Sequence, residues 1–470
     1  MWDLYKYATK TAVIDDCGQS LTYAELADAN ERLIAQIDGR CLVFSMCSNT
    51  LGSLVGYVGF LNGHIVPAML KSDLDEEMLE RLYKDYEPAY IWTGKDSLKK
   101  PLFVELPIVY EAFDYCLLKT PFGNKTRLHK DLALLLTTSG STGSPKFVRQ
   151  SYVNNRANTD SIVEYLRLDS SERPIISLPM NYTYGISIIN THIDVGATIL
   201  LTDKGLMQRE FWSFFKENHA TSIAGVPYTY EMLKKLKFMR MDLPSLRTMT
   251  QAGGKLLPDL HQEFAEYADQ SGKKFVVMYG QCEATARMGY LPPDMAMKKK
   301  GSMGIAIPGG RFHLIDVNGE NVILPFVTGE LVYEGANVTL GYAECGDDLS
   351  KGDERRGILE TGDMAQFDED GYYYIVGRKK RFLKIYGNRL NLDDCERMLK
   401  EKFGVDIACG GIDDRLFIFA EDEALLTKMK HFLAEKTGLN QQAFETKCID
   451  KIPHNESGKT LYKELEQYYN

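Results

Sequence analysis

The sequence predicts an α/β protein that ends in two smaller units of different character. Three observations lead there. Short apolar runs alternate with helical spacing through roughly the first 300 residues, the pattern of a largely parallel sheet covered on both faces. From about residue 301 glycine, valine and tyrosine become frequent and helical patterns lapse until about residue 392, which predicts a small β-rich unit. From residue 382 onward the chain reads as strand, helix, strand, helix and strand, a small α+β unit.

The elements follow in order. Leu21-Thr22-Tyr23-Ala24-Glu25-Leu26 opens a helix, with Thr22 as its cap and Glu25 three positions on, as in a capping box. Residues 42–45, 65–68 and 89–93 read as strands, and 51–61 has helical spacing. The stretch 51–70 is the most apolar of the chain, but it contains Ser53, Asn62, His64 and Pro67. It reads as a buried helix followed by a strand, not a membrane span. Residues 132–136 are continuously apolar, as in a strand buried on both faces. Shorter runs at 175–178, 198–201, 222–225 and 275–278 repeat the pattern. The charged segment 377–381 is the candidate boundary, dividing the chain into 1–379 and 380–470.

Composition limits the function. With 470 residues the chain holds two to four structural units, each with enough apolar material for a core. At 44% hydrophobic and 26% charged it is not collagen-like, coiled-coil or wholly disordered. A formal charge of −10 argues against a non-specific binder of nucleic acid or of an anionic membrane surface. The nine cysteines are odd in number, widely spaced and without a CxxC pair. That argues against a zinc cluster or a disulfide framework and for a reducing, cytoplasmic compartment. The opening residues MWDLYKYATKTAVIDD show neither the basic nor the apolar region of a secretory signal.

The most informative segment is Thr137-Thr138-Ser139-Gly140-Ser141-Thr142-Gly143-Ser144-Pro145-Lys146, directly after the buried run. Small residues leave backbone N–H groups and hydroxyls free to surround a phosphate, and the trailing lysine adds a positive charge. The spacing is not that of a Walker A loop. By composition alone the segment also fits a flexible linker, although linkers seldom start on the end of a buried strand.

This segment resembles the phosphate-binding loop of the adenylate-forming (AMP-binding) superfamily, which includes acyl-CoA synthetases, stand-alone adenylation domains and luciferases. Further motifs follow in the family's order. They are Tyr279-Gly280-Gln281-Cys282-Glu283, Thr328-Gly329-Glu330-Leu331 through Gly341-Tyr342, Thr361-Gly362-Asp363, Gly377-Arg378 through Gly387-Asn388-Arg389, and Ser457-Gly458-Lys459. The resemblance spans nearly the whole chain. It implies a large N-terminal domain of two βα-layered sheet subdomains with a small β-barrel-like unit, followed by a mobile α+β C-terminal domain.

The resemblance also implies roles. Lys146 with Thr138, Ser139, Gly140, Ser141, Thr142 and Gly143 would hold the β- and γ-phosphates of ATP. Glu283 would hold Mg²⁺, a hard cation suited to carboxylate and phosphate oxygens. Gly253, Gly254, Tyr279, Gly280, Gln281 and Cys282 would line the nucleotide site. Asp363 would accept from the ribose hydroxyls, with Arg378 beside the same sugar. Lys459 would bridge the substrate carboxylate and the α-phosphate as charge develops. Tyr182, Tyr228 and Ala252 would line the acyl pocket, although tyrosine clusters are also common in cores. Lys380 would be the hinge, and Gly387 and Arg389 would border a thiol tunnel. If so, Gly387→Leu should spare acyl-adenylate formation and suppress thioester formation, and equal loss of both would argue against a tunnel. Cys282 stands where relatives usually have threonine and is a weaker hydrogen-bond donor.

Members that activate amino acids usually carry an aspartate in the segment around Tyr182, and none lies between Leu178 and Asn190. The expected reaction is therefore ATP-dependent activation of a carboxylic acid without an α-amino group. The acyl group would pass to coenzyme A or a phosphopantetheinyl carrier protein. The runs 298–300 and 378–381 would offer positive charge to either acceptor. An amino-acid-activating enzyme, a non-catalytic nucleotide-binding regulator and a luciferase-like oxygenase remain as alternatives.

Overall fold

The apolar runs near residues 42, 66, 90 and 132 lie side by side in the middle of an eight-stranded sheet. They are seen in a computed structural model that describes residues 1–137, 146–386, 388–455, 458 and 460–469, with only the backbone of 380, 388 and 389. In spatial order the strands are Gly341–Ala343, Phe147–Ser151, Leu132–Thr137, Val66–Lys71, Leu42–Cys47, Tyr90–Gly94, Tyr115–Lys119 and Ile108–Ala112. The four from Leu132–Thr137 to Tyr90–Gly94 run parallel. The strands on both flanks are antiparallel, so the sheet is mixed where the alternating pattern predicts a largely parallel one. Connection length is the reason. A parallel crossover needs about a dozen residues or more, and the segment from Thr137 to the paired Phe147 is too short for one. On the other flank, Ile108–Ala112 and Tyr115–Lys119 are joined by a tight turn with Phe113 at φ 56°.

The capping box forms as the sequence predicts: Glu25 N–H donates to the Thr22 hydroxyl and Thr22 N–H donates to Glu25. The helix it opens, Tyr23–Ile34, packs on Leu51–Asn62, whose residues from Leu51 to Leu61 are all buried. Gly56 lets that second helix settle on the sheet, because a Cβ there would overlap the Trp92 indole.

A second layer begins with parallel strands Ser222–Gly225, Thr248–Gln251 and Lys274–Tyr279, and continues antiparallel through Gly289–Tyr290 and Ile305–Ala306. A bridge from Pro174 to Ser222 ties it to the four-stranded sheet containing Thr11–Asp15. Past residue 310 the chain builds an antiparallel sheet of Gly310–Ile315, Gly329–Gly335, Ile358–Phe367 and Tyr373–Arg378. The last part opens on a hairpin, Phe382–Ile385 with Asn388–Asn391. It continues through the helices Leu392–Phe403 and Glu423–Thr437 and the strands Ile407–Ile412, Arg415–Ala420 and Phe444–Cys448. Two hairpins thus stand where the sequence reading expects single strands. This part has apolar clusters of its own, which draw only on residues 383–469. Among the described residues, no helix is long and apolar enough to cross a membrane.

Candidate active site

Strand Lys274–Tyr279 of the second layer ends at the residues that carry the site. Tyr279 Oη donates to Asp363 Oδ2 at 2.5 Å, and Gln281 Nε2 donates to the same oxygen at 2.9 Å. Burial pushes the Tyr279 phenol well above its ordinary range, so it keeps the proton it donates. Gln281 is steadied by a further bond to the Thr361 carbonyl at 3.0 Å. Asp363 and Arg378 are cross-strand partners, and Arg378 Nε lies 3.2 Å from Asp363 Oδ1. Asp363 is 4% exposed, and the Arg378 side chain is open to solvent. Oδ2 is thus filled by two donors, and a ligand hydroxyl reaching this carboxylate would share Oδ1 with Arg378 or take it over.

Gly280 has a steric requirement. A Cβ there would overlap the Ala286 carbonyl, because the chain doubles back after the turn Cys282–Ala284. The reversal runs through Thr285, a β-branched residue at φ 68°. Three contacts hold it: Thr285 Oγ1 donates to the Asn337 carbonyl at 2.7 Å, and its own carbonyl accepts from Gln150 Nε2 and the Thr183 hydroxyl. Such a conformation persists only where its surroundings over-determine it.

On that turn Glu283 Oε1 accepts from Tyr342 Oη at 2.6 Å. Burial and the facing carboxylate push the Tyr342 phenol up to about 12, so it remains a donor. Arg355 Cζ stands 4.7 Å and Lys146 Nζ 5.6 Å from the centre of the same ring. Lys146 also pairs with Glu344 at 2.7 Å. Strand pairing produces this convergence, since Tyr342 and Val148 are direct partners at the sheet edge. Lys146 and Glu283 therefore meet around one tyrosine, although 137 residues separate them in the chain (283 − 146).

Tyr182 is half-buried, and its hydroxyl lies 2.5 Å from where a Cβ on Gly253 would stand; Gly253 has φ 84°. Gly254 faces Pro227, and Ala252 is buried. Tyr228 is half exposed, and its Cβ is 2.8 Å from where a Cβ on Gly458 would stand. The residue before Lys459 thus lies against the predicted acyl segment. Cys282 sits half-buried in the turn. Thr138, Ser139, Gly140, Ser141, Thr142, Gly143, Gly387 and Lys459 lie outside the described residues, as do the side chains of Lys380 and Arg389.

Residues 2–343 match the AMP-binding enzyme family. The chain belongs to that family. Among curated relatives of this AMP-binding enzyme, a probable CoA ligase, CCL9 of Humulus lupulus, is 24% identical over 99% of this chain and 94% of its own length. A 2-succinylbenzoate–CoA ligase of Bacillus cereus strain Q1 is 26% identical over 97% of this chain and 92% of its own. Among solved structures, o-succinylbenzoate CoA synthetase of Bacillus subtilis has the same fold. Its complex with the acyl-adenylate intermediate superposes with TM-score 0.79, at 21% identity over 98% of this chain and 97% of the other. Its complex with ATP and a magnesium ion gives 0.76, at 20% identity over 98% of each chain.

The sequence does not single out Tyr342 and Arg355, which line the Glu283 cluster, or Arg287, which is buried four residues beyond Glu283. The Gly341-Tyr342 motif is visible in the sequence, but the role of its tyrosine depends on which strand it pairs with. The two basic runs are also different from what their composition implies. Lys299 pairs with Asp368 and Asp370, Lys300 with Asp259, Lys379 with Glu330, and Arg381 with Asp393 and Glu396. Much of this positive charge is spent inside the molecule.

Proposed function

We propose that this AMP-binding enzyme activates a carboxylic acid with ATP, releases pyrophosphate, and passes the acyl group from the acyl-adenylate to the thiol of coenzyme A. The observation that carries the reading is the Asp363 cradle of Tyr279, Gln281 and Arg378, one turn from the Glu283–Tyr342–Lys146 cluster. One cluster offers a carboxylate to a sugar, and the other offers a carboxylate and a lysine to phosphates. The relatives' names support coenzyme A as acceptor. Absence of an aspartate between Leu178 and Asn190 supports an acid without an α-amino group.

In this reading Arg378 and Asp363 hold the ribose, Lys146 steadies the outer phosphates, and Lys459 meets the carboxylate as it attacks the α-phosphate. The donor set suits magnesium. Glu283 presents one carboxylate oxygen beyond the one bonded to Tyr342, and no group of three or more metal-ligating His, Cys, Asp or Glu side chains exists among the described residues. A hard cation held by one or two carboxylates and by phosphate oxygens needs no such group. Bound there, it would neutralise charge on the phosphates. The reading divides the chain after Lys379, with residues 380–470 as the mobile part that brings Lys459 to the site. All nine cysteines are thiols, which accords with a cytoplasmic location.

ATP–pyrophosphate exchange with a panel of short, long, aromatic and amino acids tests the first half-reaction. Exchange with one acid class, followed by coenzyme A thioester formation with that acid, is the expected result. Exchange with several amino acids and with no simple acid would overturn it.

A further inference from the structure

Buried arginines in this protein have carboxylate partners, with one exception. Arg149 is fully buried and pairs with Glu354. Arg381 is nearly so and pairs with Asp393 and Glu396. Arg287 is 3% exposed, and among the described residues no carboxylate forms an ion pair with it. Its Nη1 donates to Tyr165 Oη at 3.3 Å, its Nε is buried without an acceptor, and its Cζ lies 5.0 Å from the centre of the Tyr184 ring. A face-on tyrosine compensates a buried guanidinium only in part. An uncompensated buried charge is costly enough that proteins rarely keep one without a partner.

Arg287 is not needed to hold its own turn. Its backbone carbonyl accepts from Asn158 Nδ2 at 2.8 Å and from Asn337 Nδ2 at 3.1 Å, which fixes the backbone whatever the side chain does. Position connects it to the acyl segment. The Arg287 Cα is 2.9 Å from where a Cβ on Gly280 would stand, so the side chain starts beside the nucleotide motif and runs inward. There it meets Tyr184, which hydrogen-bonds Thr250 at 2.7 Å and stands edge-on to Tyr182 at 6.3 Å. Tyr182 in turn lies against Gly253. A chain of contacts thus leads from the glycines of the predicted site to an arginine that lacks an anion.

We propose that Arg287 is the specificity-determining residue of the acyl pocket and that the activated acid carries a second carboxylate, held by Nε and Nη2 of Arg287. This rests on the acid–CoA ligase reading. The Nε–Nη2 edge of a guanidinium matches a carboxylate in bidentate geometry, which rewards a dianionic acid and leaves a monoacid with a buried unpaired charge.

The test measures matched pairs on the full-length protein: succinate against butyrate, glutarate against pentanoate, and phthalate against benzoate. Binding is read by calorimetry with a non-hydrolysable ATP analogue, and turnover by pyrophosphate exchange. Diacid preference of about 10²-fold in at least one pair is expected, and its collapse in Arg287→Met with a native melting transition. Arg287→Lys should keep part of the preference, which a purely structural arginine would not do. Selective diacid binding without exchange would remove the ligase reading and leave the assignment of Arg287 standing. Exchange with monoacids that is equal to diacid exchange and indifferent to Arg287→Met would overturn the assignment and leave the ligase reading. Binding of no diacid above its monoacid partner also overturns it.

Discussion

Asp363 accepts three side-chain donors at once, so replacing its charge acts on all of them. Asp363→Asn keeps the shape but removes the attraction for Arg378, and it turns an NH₂ toward Tyr279 or Gln281. ATP affinity should fall about 10–100-fold, because hydrogen bonds to charged groups contribute about 1.5–3 kcal/mol. Calorimetric titration with ATP would check this, and an unchanged affinity would remove Asp363 from the nucleotide site. The carboxylate was legible as a candidate because it follows Thr-Gly in a recurrent motif. Its donors were not equally legible: Gln281 sits in a quoted motif, yet nothing in the linear chain says that its amide turns toward residue 363.

Elements decide how tightly these residues are held. The turn from Gly280 to Arg287 is folded so closely that an added methyl group has no place to go. Gly280→Ala should destabilise the protein by about 1–3 kcal/mol and weaken ATP binding together with stability. Urea unfolding read beside nucleotide titration would show whether both fall. The helix Thr183–Asp194 carries a second constraint. His192 lies on it with Nδ1 2.7 Å from the Ile188 carbonyl and a buried, unpartnered Nε2. Burial pushes its imidazole down to about 4. The unfolded chain takes up that proton near pH 6.5, so it binds the proton before the folded one as pH falls. The stability this residue allows is full above about pH 6.5, is lost progressively toward pH 4, and then levels, for about 3 kcal/mol in all. His192→Gln should flatten that part of the pH–stability curve, as chemical denaturation at about pH 7 and about pH 4.5 would show.

At the scale of the whole molecule, the last part of the chain touches the large one near the acyl segment. Gly458 stands at φ 72° against Tyr228. Nearby, Asn391 Nδ2 donates to the Val376 carbonyl at 2.6 Å and Arg378 N–H to Asp393 at 3.2 Å. Gly458→Val would meet both the ring and a backbone conformation that β-branched residues avoid. It should slow acyl-adenylate formation by more than about 10-fold, since a barrier increase of about 1.4 kcal/mol is tenfold, while ATP still binds. Rapid-quench measurement of the adenylate beside ATP titration would separate the two, and an equal loss of binding would mean a folding defect instead.

The sequence by itself determined the class of fold, the order of its units and the residues of the motifs. Apolar period, capping chemistry and short glycine-bearing segments are local properties, written in consecutive residues. It named Lys146, Glu283, Asp363 and Arg378 for the same reason. Tertiary structure alone decided that the large sheet turns antiparallel at its flanks, that Tyr342 stands between Lys146 and Glu283, and that the basic runs are largely neutralised by internal partners. It also decided that Arg287 is buried without an anion. Each of these depends on which distant segments become neighbours, and that is settled by strand pairing and burial across the whole chain.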